Sequence, residues 1–541
     1  MNGARPVHLE IQKHRSSVYG VLRSSYREDG QVKHSNHGRI TGLALAQLQL
    51  IQAAFRGEVV PKDSPEAFQT LASKEYGGAC VLLALAKELG LPQMLYSRHE
   101  SWVNDCLAMI IGRLLYAGSK LSLSHQWKST VLWELCGVAG PVDVEAHCYQ
   151  AMDRLLDRQK AIQKALAKRH LQEGCLVLYD ITSSYFEGAY EESDIVLFGY
   201  NRDGKRGHEQ ICLGLLCNQQ GCPVGVEVFA GNTQDATTVV EKVKEIQSEY
   251  GLKKVIFVGD RGMVTQANAK ELQAVDGLHL ISALTHQQIV ALLERNVIKA
   301  ELFDEKQVVE VVDPENPQRR YGLCRNPQSA QREGGTRQRL LDLTQAELRK
   351  IAQSPRKNSQ EKIGARVGRV LQKYKMGKFV EWEVKQGKLE WRLQEARIAQ
   401  EKLFDGCYII SSDVPVEQMA QQQVVASYKS LSLVEGAFRN LKTVSLEMRP
   451  VFHKKDDRIR SHVFLCMLAY YLQWHMQQRL KPLFAQDGKG KDRQWTFSTV
   501  LERLKAWRRH RVKVGGVEFD QVAEPEEDQK EIMELLKAKK P

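Results

Sequence analysis

The apolar residues of this chain change period several times, and each change marks a candidate boundary. Across residues 61–172 they recur at three- and four-residue spacing, as at Leu82, Leu85, Ala86 and Leu89, with breaks at Gly90, Gly118 and Gly140-Pro141. That spacing predicts a helical domain. Before it, SVYGVLRSSYREDGQVKHSNHGRI reads as strand, turn at Glu28-Asp29-Gly30 and strand, an N-terminal hairpin arm within residues 1–60.

At Cys175 the pattern becomes continuous. CLVLYDITSSYF is rich in β-branched and aromatic residues, which predicts a strand buried on both faces. HEQICLGLLCN and PVGVEVFAGN follow, joined through Gln219-Gln220-Gly221, so the three segments read as an antiparallel meander. A helix from about Ala236 to Tyr250, the strand KKVIFVGD, a helix near Gln266 to Ala274 and the strand LHLISALT complete residues 173–290. This order predicts an α/β core, a mixed sheet with helical cover of the ribonuclease H-like kind. A right-handed crossover places its fourth strand parallel to its first.

From His286 to Leu403 the pattern loosens. Pro, Gln and Arg are frequent, a basic helical stretch runs from about Gln345 to Tyr374, and KFVEWEVKQGKLEWRLQEARI reads as a hairpin turning at Gln386-Gly387. A segment this long is expected to be an inserted basic subdomain, residues 291–405, rather than a loop. The core is expected to resume over residues 406–480, with the strand CYIISS and a helical pattern from about Pro415 to Ser445. Residues 481–541 remain as a basic C-terminal region.

Charge sharpens this division. The 541 residues carry 77 Lys and Arg against 65 Asp and Glu, a balance of +12, with ordinary globular shares of 43% hydrophobic and 26% charged residues. Arg337 to Lys378 holds twelve basic residues against three acids, and Lys489 to Lys513 nine against two, so these segments total +16 and the remainder −4. Localised basic surfaces on a slightly acidic body suit a polyanion gripped at defined places. Solvated helix faces are the plainer alternative for each segment. No apolar run approaches the roughly 18 to 20 residues of a membrane span and the start has no signal-peptide centre, so no membrane and a cytoplasmic location are expected. Eleven scattered cysteines without a CxxC pair point to reduced, mostly buried thiols.

Two carboxylates stand out against their surroundings. Asp180 follows Leu176-Val177-Leu178-Tyr179, and Asp260 follows Val255-Ile256-Phe257-Val258-Gly259. Burying an ionised carboxylate costs several kcal/mol unless it is paired or bound to a metal. Acids ending adjacent parallel strands, about 4.8 Å apart, would bracket one cation, and hard oxygen ligands suit Mg²⁺ or Mn²⁺. A turn cap, or a salt bridge to a neighbour such as Arg261, is the competing account. A third acid is expected on the helix after the insertion. There Tyr428, Glu435 and Lys442 are seven apart, with Arg439 close by, and Val434, Ala437, Phe438 and Leu441 make the adjoining apolar stripe.

Taken together, SYREDGQVKH, LYDITSSYFEG, GHEQICLGLLCNQQGCPVGVEVFAGNTQD, VIFVGDRGM, FDGCYIISSD and YKSLSLVEGAFRNLKTVSLEMRPVFHKKDDRIRSHVFLCMLAYYL resemble the DDE transposases of bacterial insertion sequences, within the insertion-sequence-four superfamily and its close relatives. The resemblance implies a ribonuclease H-like core with a β-rich insertion before the Glu, and Asp180, Asp260 and Glu435 as a metal-binding triad holding two Mg²⁺ or Mn²⁺ ions. The superfamily's helix signature is Tyr, Arg, Glu and Lys; here Tyr428, Glu435 and Lys442 match, but the Arg position is Leu431, and Arg439 is the candidate stand-in. His453 and His462 read as structural or phosphate-facing.

By the same resemblance the expected activity is metal-dependent cleavage at insertion-sequence ends and joining of the 3′-hydroxyl ends to target DNA. Tyr428, Lys442, Arg439 and Arg261 are expected on DNA near the scissile bond. Arg366 and Lys373 in the insertion, and Arg508 and Arg509 in the C-terminal region, are expected on the double-stranded DNA backbone. End recognition falls to the N-terminal helices, and a homodimer is expected on DNA. A catalytically silent DNA-binding descendant, or a structure-selective nuclease on the same core, uses the same residues.

Overall fold

The computed structural model describes residues 7–538 apart from 15–16, 29, 57–67, 203, 206, 262, 265–267, 269–270, 273, 305–306, 355–358, 487–492 and 515–516. The expected turn residue Asp29 and much of the expected helix near Gln266 to Ala274 therefore lie outside the described residues. The chain forms two compact units, Gln163–Arg439 and Met1–Ile162 joined by Asn440–Pro541.

Gln163–Arg439 is built on an eight-stranded mixed sheet. The first strand, Cys175–Tyr185, pairs antiparallel with Gln210–Asn218, which pairs in turn with Pro223–Ala230. On its other side it pairs parallel with Val255–Gly259, and that strand pairs parallel with Leu278–Ala283. The connecting helix, Asp235–Ser248, supplies the crossover that parallel pairing requires. The Gln210–Asn218 and Val255–Gly259 strands are buried at every position. Such strands read as unbroken apolar runs because no residue faces water.

Three antiparallel strands extend the sheet past Leu278–Ala283: Cys407–Ser412, Asn316–Arg325 and Val309–Asp313. This corrects the expected insertion in two ways. Residues 309–325 belong to the sheet, so the inserted segment begins near Pro327. It is also mainly helical, with helices Pro327–Ala352, Gln360–Tyr374 and Glu395–Leu403, and its β content is the hairpin Val380–Lys385 with Lys388–Leu393. Gln386 and Gly387 both take positive φ, 48° and 77°, as a two-residue turn matched to strand twist demands. A small core of its own, Leu348, Ile363, Val367, Val380 and Leu389, holds helices and hairpin together.

In the other unit, helices span Gly77–Glu88, Ser101–Leu115 and Gln150–Asp157. Asp456–Arg479, expected to continue the core, packs on these three helices instead. Fifteen of its residues are buried, so it needs cover all round, and the N-terminal helices supply it. The C-terminal region is likewise tied down: Arg508–Val514 pairs with Val517–Val522 on one side and Phe68–Glu75 on the other. Residues 7–40 form a three-stranded antiparallel sheet. Among the described residues no single helix is long and apolar enough to cross a membrane. None of the eleven cysteines forms a disulfide, and nine are buried.

Candidate active site

The parallel ladder between the first and fourth core strands ends at the pair Tyr179 and Gly259. Asp180 and Asp260 are the next residue on each strand and so sit at the same level. Asp260 leaves its strand there, but Asp180 does not: the first strand runs on to Tyr185, held by its antiparallel neighbour. Asp180 is therefore a mid-strand residue at the end of the parallel pairing, not at a strand end.

The third acid is carried by the helix Leu431–Arg439, which packs on the first strand. Leu431, Val434, Ala437 and Phe438 are buried beneath it, and Glu435 is exposed. The departure at Leu431 thus has a packing explanation: with 6% exposure it belongs to the buried stripe, where an arginine would face apolar neighbours. The expected single helix is divided, Gln421–Lys429 preceding Leu431–Arg439, and the chain then enters a π-helical turn, Asn440–Val444. The α-helical register assumed for Lys442 ends at Arg439, and Lys442 is buried within the other unit.

Electrostatics bring the three acids together. Burial pushes the Asp180 carboxyl up to about 7, the Ile181 N–H at 2.8 Å and the Arg202 charge work against that rise, and the charges of Asp260 and Glu435 add to it. Asp260 is exposed. Its Oδ1 accepts from the Arg261 N–H at 2.7 Å and from the Tyr428 hydroxyl at 3.0 Å, and its carbonyl accepts from Ser282 Oγ at 3.3 Å. Burial and the Asp260 charge raise Tyr428, which keeps its hydroxyl a donor. Tyr428, expected on a phosphate, is thus bonded to a carboxylate of the site. Asp180 and Asp260 accept from backbone N–H groups and the Tyr428 hydroxyl, and the nearby Arg202 charge offsets only part of the rise at Asp180. Oxygen-only donors, one of them half-buried and raised by desolvation and by like charges, fit a hard divalent cation.

The other expected DNA contacts are dispersed. Arg261 and Arg439 are exposed on the elements that carry Asp260 and Glu435. Arg261 also borders a cleft of about 490 Å³ floored by Leu284, Ile289 and Phe404 and rimmed by Lys378 and Arg397. On Gln360–Tyr374, Arg366 is half-buried and Lys373 is exposed, its Nζ 4.9 Å from the Tyr374 ring. Arg508 and Arg509 have protein partners. Arg508 donates to Ser73 Oγ at 2.7 Å, and Arg509 makes a two-pronged pair with Glu134 at 2.9 and 2.6 Å. Sequence reasoning passed over Arg202, whose guanidinium donates to the Ile181 carbonyl one residue from Asp180. The only signal that could have found it is the alternation of aromatic, glycine and basic residues in FGYNRDGKRGH.

The mixed sheet, with its first and fourth strands parallel, thus carries the three acids beside the end of that parallel pairing. The model of the transposase DDE domain family matches residues 173–472, more than half of the chain, and the protein belongs to that family. No curated protein matches it in sequence. Among solved structures it is similar to the piggyBac transposase synaptic complex with hairpin DNA, at 8% identity and a TM-score of 0.36, over 79% of this chain and 76% of that one.

Proposed function

We propose that the protein is an active transposase of the insertion-sequence-four type, which cleaves phosphodiester bonds at the ends of its element and joins the freed 3′-hydroxyl ends to target DNA. The observation that carries this reading is the gathering of Asp180, Asp260 and Glu435, whose like charges raise Asp180 further than the Arg202 charge offsets, in a chain of the transposase DDE domain family. Divalent cations, two in this reading, would activate the attacking water or 3′-hydroxyl and stabilise the leaving oxygen.

The chain's own groups hold and orient. Asp180 is fixed by the strand and by its bond to the Ile181 N–H, Asp260 by the Tyr428 hydroxyl and the Arg261 N–H, and Glu435 by a helix whose other face is buried. Arg261 and Arg439 supply exposed positive charge for DNA phosphates. The basic helices Pro327–Ala352 and Gln360–Tyr374 extend that charge along double-stranded DNA. Joining two ends to one target site calls for at least two copies of the chain, assembled on DNA.

The test is Asp260→Ala. With Mg²⁺ and DNA carrying the element's ends, wild type should nick at the end boundaries and transfer the 3′-hydroxyl to a target plasmid. The variant should bind the ends as tightly and cut none. Cleavage that survives the substitution sinks the assignment.

A further inference from the structure

Between the first and second core strands the chain passes through residues 186–209, close to the carboxylates. Among the described residues its Tyr200 and Phe198 are the two most exposed large apolar side chains, at 86% and 65%. Exposed aromatic rings on a slack loop would be unremarkable, since they could fold inward. This loop is not slack.

Leu197 and Gln210 exchange both backbone hydrogen bonds at 3.0 Å. The buried Gln210 side chain donates to the Tyr200 carbonyl at 3.1 Å and to the Gly231 carbonyl at 2.8 Å. The Arg202 N–H donates to Ser183 Oγ at 3.1 Å, and the Arg202 guanidinium donates to the Ile181 carbonyl. Between the two rings, Gly199 lies so near Gly231 that a Cβ there would stand 1.9 Å from the Gly231 carbonyl oxygen. The turn is therefore clamped at its centre and on both sides, and its rings are held outward in water. That arrangement costs hydrophobic free energy that a partner would return.

The chemistry around the rings says which partner. Arg202 and Lys205 are exposed and His208 is half-exposed, while of the described acids Glu187, Glu191, Glu192 and Asp194 precede the aromatic turn and Glu209 ends the segment. Aromatic faces interleaved with cations are the means by which proteins hold unpaired nucleotides, rings stacking on bases and cations meeting phosphates. A paired base has both faces covered by its neighbours, so a ring gains a face only where the duplex is open.

We propose that the Phe198-Gly199-Tyr200 turn, with Arg202, grips an unpaired nucleotide beside the scissile phosphate, Tyr200 stacking on the base and Arg202 meeting the adjoining phosphate. The proposal rests on the transposase reading, and its test separates the two. The full-length protein is titrated against a fluorescent oligothymidylate of about 20 nucleotides and, separately, a mixed-sequence duplex. Stacking contributes about 1 to 3 kcal/mol per base, so Tyr200→Ala should weaken single-strand binding about 5- to 150-fold and leave duplex binding within about twofold. Tyr200→Trp should restore affinity, with its fluorescence quenched on binding. Arg202→Gln should reduce the salt dependence of single-strand binding by about 0.7 in slope.

Wild type that fails to bind the oligothymidylate overturns the grip, and so does a Phe198→Ala, Tyr200→Ala double variant that binds it like wild type. Equal losses on single strand and duplex overturn it too. If DNA cleavage depends on Asp260 while Tyr200→Ala is silent, only the grip fails. If Tyr200-dependent binding stands in a protein that never cleaves DNA, the grip survives and the transposase reading falls.

Discussion

Two acidic clusters in the same unit meet the cost of burial differently. Glu227 on the third core strand and Glu245 on the crossover helix both bond to Lys242, at 2.6 Å each, and Tyr250 donates to Glu245 at 2.9 Å. Burial would push Glu245 up, but Lys242 brings it below the usual range. That cluster is closed: a lysine 2% exposed bonds to both glutamates, lowering Glu245, while burial raises Glu227. Asp180, Asp260 and Glu435 are open. Burial and like charges raise Asp180, and Arg202 offsets only part of that rise. Acids balanced from within explain themselves as architecture, whereas acids left unbalanced at an accessible edge call for a cation from outside.

The comparison breaks if removing an acid from the open cluster harms folding more than chemistry. Asp180→Asn keeps the shape and removes the charge, and should lower end cleavage about a thousandfold or more. In metal-free buffer the same variant should melt at a higher temperature than wild type, because the repelling carboxylate is gone. Circular dichroism melts alongside a nicking assay check both. A variant that melts lower and still cuts would place Asp180 with the architectural acids.

The closed cluster should respond the other way. Lys242→Met leaves two half-buried glutamates without their cation, at a cost of about 2 to 3 kcal/mol in unfolding free energy once solvent screening is allowed for, read by urea titration. Cleavage per folded molecule should be unchanged. Adding Mn²⁺ should raise the melting temperature of wild type and of Lys242→Met, but not of Asp180→Asn.

A pH series sharpens the contrast. Asp180 is raised on folding from about 3.8 to about 7, so its contribution to stability is complete below the lower value and is lost as pH rises through the higher one. Metal-free wild type should therefore lose about 2 to 4 kcal/mol between pH 4 and pH 8 from this group, the lower figure allowing for solvent screening. Asp180→Asn should flatten that part of the curve. Mn²⁺ should restore the loss above pH 7, since a ligand that binds the folded state stabilises it by mass action. A wild-type curve that rises over this range would contradict the burial described here.

Asp180 and Asp260 were legible before any coordinates because each interrupts an apolar run, a local conflict between solvation and burial. The pairing of their strands was legible because a buried strand, a crossover and a second buried strand leave one handedness. Glu435 could be read as lying beside the apolar stripe of its helix, at the border of the buried and exposed faces, and in the structure it is exposed. What stayed hidden depends on distant or one-sided contacts. Val309–Asp313 and Asn316–Arg325 end the sheet, and residues such as Glu310, Pro317 and Gln318 face water, so their pattern resembles a loop. Arg508 and Arg509 looked free for DNA because Ser73 and Glu134 lie hundreds of positions earlier in the chain. The Phe198–Tyr200 turn was hidden because the glycine that clamps it, Gly231, meets it only once the second and third core strands have paired.

The smallest expected effect tests how finely the open cluster is arranged. Tyr428→Phe removes one hydrogen bond, the 3.0 Å contact to Asp260 Oδ1, and keeps the ring. If the hydroxyl orients a metal-binding carboxylate, its loss should cost about 10- to 100-fold in cation affinity or cleavage rate, the usual worth of a group that positions a ligand. Raising Mn²⁺ should recover most of the rate, because the three carboxylates remain. A phosphate contact predicts something else: weaker end binding at every Mn²⁺ concentration, with no rescue by metal. Measuring cleavage across a Mn²⁺ titration, with end binding followed in Ca²⁺, separates the two roles. Asp260 itself cannot be rescued this way, and that difference between the orienting hydroxyl and the carboxylate it orients is the finest distinction the geometry makes.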